Sequence, residues 1–148
     1  MKPLPSTIVI DTTVLISAVL GRTGAVIERV QRIATLITTD RAVEEGRRKI
    51  ELGLKAPELL PLLDAIAAPL LVVPLAELEP LMADAGTVLR DAAASGNGST
   101  RDAHVLALAW CTGADVWSAD RDFAGSGVAS WSTRNLVRAM GDASTSSA

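Results

Sequence analysis

The chain has 148 residues, a length that fits one domain with one sizeable core. Hydrophobic residues make up 49% and aromatics only 3%, which excludes a disordered chain and predicts a core of Leu, Val, Ile and Ala. The formal charge is −3, so no overall basic balance advertises a polyanionic partner, and a nucleic-acid enzyme built on this chain would bring its cations to the site as metal ions.

The N-terminal MKPLPSTIVID has neither a long apolar run nor a small-residue cleavage site, and is not read as a signal peptide. Thr7 to Ile10 is a β-branched run read as the first strand, ending at Asp11. Thr12 to Leu20 predicts a helix, GRTG at 21–24 a turn, and Ala25 to Ile33 a second helix through Val26, Ile27, Val30 and Ile33. Leu36 to Thr39 reads as the second strand, and Asp40 as the N-cap of a helix over RAVEEGRRKIELGL. Pro57 to Ala67 predicts a helix and Leu70 to Val73 a third, buried strand. The stretch from Leu59 to Ala76 is roughly 18 residues long, near the lower limit of a membrane span, but Pro61, Asp64, Pro69 and Pro74 interrupt it, so no membrane helix is expected.

Glu77 to Ala94 is helical in pattern, and ASGNGST at 94–100 reads as a flexible linker. Arg101 to Thr112 predicts a helix, Asp115 to Ser118 the fourth strand, Val128 to Ser132 the fifth, and Thr133 to Met140 the last helix. The expected organisation is a single domain over 1–141 with a disordered tail at 142–148. The lone Cys111 permits no intrachain disulfide and is expected to be a buried small apolar residue, and the cytoplasm is the expected compartment.

Short, continuous apolar strands alternating with helices predict an α/β fold, with a parallel sheet covered on both faces and right-handed crossovers. In such folds the site lies beyond the carboxyl ends of the strands. Asp11 follows the first strand, Glu45 lies a turn into the helix after the second, Asp102 opens the helix leading to the fourth, and Asp120 and Asp122 follow the fourth. Taken singly, each has a structural explanation. Asp11 and Asp122 suit caps, Asp120 a turn, Asp102 a helix first turn, and Glu45 a solvated helix face, with Glu44 a competing candidate. Taken together, they can face one sheet edge. Clustered carboxylates need a compensating cation. Oxygen-only ligands suit Mg²⁺ or Mn²⁺, which can activate water and stabilise the leaving oxygen in phosphodiester cleavage.

Four ordered blocks carry a resemblance. IVIDTTVLISAVLG at 8–21, LITTDRAVEEGRRKIE at 36–51, RDAHVLALAWCTGADVWSADRDF at 101–123 and VASWSTRNL at 128–136 resemble the blocks of PIN-domain proteins. The chain is most similar to the bacterial branch of toxin components that includes VapC-like proteins. The resemblance implies a Rossmann-like α/β/α domain that cleaves RNA with Mg²⁺ or Mn²⁺. It assigns Asp11, Glu45, Asp102 and Asp120 to the family's four acidic positions and Asp122 to an accessory acid, with Thr12 and Ser118 as supporting hydroxyls. It also implies a small antitoxin partner and a homodimer. Gly46 departs from the pattern, standing where an apolar residue is usual.

In this reading Asp11, Asp102 and Asp120 bind the metal, and Glu45 and Asp122 bind a second ion or orient the attacking water. Arg22, Arg41, Arg47, Arg48 and Lys49 are candidate phosphate contacts, or else a solvated helix face. His104 is expected to serve packing or the surface, since this chemistry requires no imidazole. Two alternatives are weaker. A haloacid-dehalogenase-like phosphatase wants a second Asp where Thr13 stands, and a response-regulator receiver wants an Asp after the third strand, where Pro74 stands. A PIN-like module that only binds RNA or protein would not need five acids.

Overall fold

A computed structural model describes residues 3–93, 102–119, 123 and 126–146. Five strands form one parallel sheet in the order β3-β2-β1-β4-β5, and seven α-helices pack against it. The strands are β1 (Thr7–Ile10), β2 (Thr35–Thr39), β3 (Leu71–Val73), β4 (Asp115–Trp117) and β5 (Ser130–Trp131). The helices are α1 (Thr12–Val19), α2 (Gly24–Gln31), α3 (Asp40–Arg48), α4 (Leu60–Ala67), α5 (Glu79–Ala93), α6 (Ala103–Thr112) and α7 (Thr133–Ser146). Helix α3 widens into a π-helical turn over Lys49–Gly53, and short 3₁₀ turns precede α4 (Pro57–Leu59) and α5 (Leu75–Leu78). The expected α/β/α architecture is thus observed. Helix α7 runs past Met140, where the sequence pattern ends it.

Strand alternation divides the apolar side chains between two cores. Ile8, Ile10, Leu36 and Trp117 face one core with α1, α2, α4 and α7. Val9, Ile37 and Val116 face the other with α5, α6 and Phe123. Both faces of the central strands are therefore covered, which is why they read as unbroken apolar runs. Two indoles pin the β4–β5 edge: Trp131 Nε1 donates to Asp115 at 2.8 Å and Trp117 Nε1 to Thr133 at 3.0 Å.

The third strand departs from expectation. It is an edge strand rather than a buried one, with Leu71 58% exposed. Its short apolar run cannot reveal whether a neighbour covers it. The cap of α3 is Thr39, not Asp40: the Thr39 hydroxyl accepts the Ala42 amide, while the Asp40 carboxylate accepts the Leu75 amide at 2.9 Å. Asp40 thereby ties the start of α3 to the segment after β3 instead of capping its own helix. Cys111 is exposed rather than buried, because the last turn of α6 runs out beyond the packed segment Ala103–Ala109 to a left-handed Gly113. Among the described residues, no helix is long and apolar enough to cross a membrane.

Candidate active site

Strand order reverses direction between β1 and β4, and a parallel sheet opens a crevice at the carboxyl ends of such a pair. Ile10 pairs with Trp117 and Val9 with Ile37, so Asp11, Ser118 and Thr39 occupy the next row, at the mouth of that crevice. All three side chains are buried.

Asp11 is held through both of its carboxylate oxygens. Its Oδ1 accepts the Thr13 hydroxyl at 2.5 Å and the Val14 amide at 3.2 Å, capping α1. Its Oδ2 accepts the Ser118 hydroxyl. The capping explanation for Asp11 is thus correct as far as Oδ1 goes, and Oδ2 serves a different contact. Thr13 also accepts the Ala119 amide at 3.1 Å, stitching the exit of β4 to the start of α1. Because burying a charge is costly unless donors surround it, these donors make the site rigid.

Glu45 lies on the adjoining face of α3. Its Oε2, at 3.4 Å, shares the single Thr12 hydroxyl proton with the Ala42 carbonyl, at 3.1 Å. Its Oε1 accepts Arg41 Nε at 3.3 Å. Glu44 instead points outward and pairs with Arg48 at 3.0 Å on the exposed side of α3. Of the two neighbouring acids, only Glu45 adjoins Thr12.

His104 is only 1% exposed, and this is the group that the sequence alone undervalued. Its Nδ1 meets the Thr39 hydroxyl at 2.7 Å, and its Nε2 stands 3.9 Å from Glu45 Oε2 without a hydrogen bond. Burial lowers its pKa, Glu45 opposes that, Arg41 adds to it and Asp40 opposes it. The sequence signal was a lone imidazole inside an otherwise apolar helix that opens with an acid. Thr13 and Thr39, likewise missed, carry only the weak signal of hydroxyls flanking strand ends.

Asp102 stands at the N-cap of α6, half-buried, and its side chain makes no capping hydrogen bond. Asp120 and Asp122 lie outside the described residues, between the buried Ser118 and the buried Phe123. Among the described residues, no three metal-binding side chains come together. The donor chemistry nonetheless fits a hard divalent cation: the described groups are carboxylates and hydroxyls, the oxygen ligands that such ions take.

The basic candidates occupy the outer face. Arg41 pairs with Glu45, Arg47 with Asp64 of α4, and Arg48 with Glu44. Such exposed pairs are weak, so they do not withhold the guanidinium groups from a phosphate. Lys49 and Arg22 are exposed, on the π-helical turn and in the turn after α1.

A three-layer α/β domain with buried acid at the switch point of a 3-2-1-4-5 sheet is the class that the fold and site define. The PIN domain family model matches residues 9–140, and the chain belongs to the PIN-domain family. No curated protein is a match for it. Among solved structures it is similar to the PAE2754 protein of Pyrobaculum aerophilum, with 16% identity and a TM-score of 0.61, covering 91% of this chain and 97% of that one. It is also similar to the Mycobacterium tuberculosis VapC20 toxin, which cleaves the sarcin-ricin loop, with 14% identity and a TM-score of 0.58, covering 82% and 95%. A third similar structure is FitAB bound to a DNA fragment, with 19% identity and a TM-score of 0.61, covering 85% and 94%. At these identities the likeness is one of fold.

Proposed function

We propose that this protein is a metal-dependent endoribonuclease and the toxin of a bacterial toxin–antitoxin pair. The observation that carries the reading is the buried Asp11 carboxylate, held by Thr13, Val14 and Ser118 at the switch point, with Glu45 across Thr12 from it. Family membership supports a nuclease, and the likeness to a toxin that cleaves the sarcin-ricin loop supports RNA as substrate. The FitAB structure supports a small antitoxin partner. A homodimer and a cytoplasmic location complete the proposal.

Asp11, Asp102 and Asp120 would hold Mg²⁺ or Mn²⁺, with Glu45 and Asp122 beside them. When bound, the ion supplies positive charge for the phosphodiester and makes a water more acidic. The chain's own contribution is positional. Thr13 and Ser118 spend their protons on Asp11, keeping its carboxylate fixed. Glu45, 28% exposed in its side chain, would orient a water entering the crevice. Arg22, Arg41, Arg47, Arg48 and Lys49 form a basic flank for the RNA backbone.

The test is incubation with labelled RNA and Mn²⁺, with and without chelator, beside Asp11→Asn. Cleavage is expected only for the wild type without chelator. Cleavage that survives both treatments sinks the metal-nuclease reading, and no cleavage by any form favours a binding module. Separately, induced expression should arrest growth and Asp120→Asn should relieve the arrest.

A further inference from the structure

A buried N–H without an acceptor is costly, so an imidazole nitrogen left bare inside a protein asks for an explanation. His104 presents such a nitrogen, Nε2, at 1% residue exposure. Its other nitrogen identifies the tautomer. The buried Thr39 hydroxyl already accepts the Ala42 amide at 3.0 Å and has one proton to give. Donating that proton to His104 Nδ1, 2.7 Å away, satisfies both the hydroxyl and the Nδ1 lone pair. The hydrogen then sits on Nε2. The opposite tautomer strands the Thr39 proton and turns the Nε2 lone pair toward a carboxylate.

We propose that His104 is a positioning residue for Glu45: Thr39 fixes the imidazole so that its Nε2–H is aimed at Glu45 Oε2, 3.9 Å away, and closes on it when the site is loaded. This rests on the reading that Glu45 belongs to the nuclease site. The gap closes by a small side-chain rotation of Glu45, which is the partly exposed and therefore movable partner, whereas His104 is packed within α6. A donor behind a carboxylate fixes its orientation, as outer-shell donors do at metal sites generally. Asp40 and Arg41, the other charged groups of α3 that act on the imidazole, belong to the same helix as Glu45. His104 thus acts through Glu45 and needs no contact with RNA.

The chain contains one histidine, so every imidazole nitrogen signal is His104 without assignment. Long-range ¹H–¹⁵N spectra of the full chain at neutral pH should show a pyridine-type Nδ1 and a protonated, pyrrole-type Nε2. Glu45→Gln should shift the Nε2 resonance, and Mg²⁺ should shift it in wild type but not in Glu45→Gln. A protonated Nδ1, or an Nε2 signal indifferent to Glu45→Gln, overturns the proposal. This arm reads the pair without any catalysis, so it decides even if the RNase reading fails. If the wild type cleaves RNA, His104→Leu should lower kcat roughly 10- to 100-fold with little change in KM, the range typical of outer-shell partners. His104→Gln, whose side-chain amide can reach the same carboxylate, should restore most of it. Equal loss in folded Leu and Gln variants counts against positioning.

Discussion

Ser118 donates its hydroxyl to Asp11 Oδ2 across 107 residues of chain, joining the ends of two parallel strands that meet at the switch point. With Thr13 on Oδ1, two hydroxyls from two elements grip one buried carboxylate. A cap that only held α1 would need Oδ1 alone. The second grip fixes the orientation of Oδ2.

Ser118→Ala removes one donor from a buried charge and leaves the cavity nearly unchanged. The loss of stability should be about 1–2 kcal/mol, within the cost of stripping a partner from a buried polar group. Urea denaturation of the metal-free protein checks this. Mn²⁺ should recover part of the loss, since a ligand that binds only the folded state stabilises it. A variant as stable as the wild type removes Ser118 from the grip.

Asp11→Asn should separate stability from activity. The amide keeps an oxygen for Thr13 and Val14, and its NH₂ can reach the Ser118 oxygen, so the cap survives without the charge. Stability should stay within about 1 kcal/mol, the scale of one net hydrogen bond. RNA cleavage should fall by more than roughly 100-fold, because even outer-shell changes at metal sites cost 10- to 100-fold. The paired measurement is thermal unfolding and a single-turnover assay on the same preparation. Unchanged cleavage excludes Asp11 as a metal ligand.

How legible the molecule is from its letters follows from where a residue's neighbours come from. β1 and the acid ending it are visible because burial on both faces leaves an unbroken apolar run. β3 looks the same in sequence but lies at the sheet edge, and nothing within its three residues records the missing neighbour. Thr39 and Asp40 both suit a cap, and what decides between them is the Leu75 amide, 35 residues on. His104 has the same difficulty: its partners Thr39 and Glu45 lie about sixty residues upstream, and their convergence is a property of the sheet. Asp120 and Asp122 stay at the level of the sequence, outside the described residues.

The neighbouring acids of α3 should behave oppositely. Glu44→Gln breaks only an exposed i,i+4 pair with Arg48, worth about 0.3–0.5 kcal/mol, and should leave RNA cleavage intact. Glu45→Gln should lower cleavage roughly 10- to 100-fold or more, by the same reasoning as for metal-site partners. Parallel assays at one Mn²⁺ concentration compare them. Equal activity of the two variants removes Glu45 from the site.

Acid should weaken the fold through His104. Its folded pKa is lowered by burial, with Arg41 assisting and Glu45 and Asp40 opposing. The unfolded chain therefore takes up a proton below its ordinary pKa of about 6.5 while the folded protein does not. Stability is fully present above that pKa and is lost as pH falls toward the lower folded value. Urea midpoints at pH 7.5 and 5.5 should drop more for the wild type than for His104→Gln, which carries the background from the carboxylates. Identical slopes in the two proteins dismiss His104 as the source.

Gly46 offers a test of packing beneath the site. It is buried in the middle of α3, where glycine costs about 1 kcal/mol relative to alanine in helix propensity. A methyl group there would meet Leu63 of α4 at 3.6 Å and Ile16 of α1 at 3.9 Å, ordinary van der Waals separations. Gly46→Ala therefore gains helix propensity and contact without a clash, and should raise stability by about 0.5–1 kcal/mol. A larger residue has no such room, because both neighbours are already in contact range, and Gly46→Leu should destabilise by about 1–3 kcal/mol through overpacking. Since α3 carries Glu45 against Thr12, overpacking should also lower cleavage, whereas Gly46→Ala should leave it near the wild type. Denaturation of both variants decides the matter: an alanine variant less stable than the wild type would show that α1, α3 and α4 are already in closer contact than these distances imply.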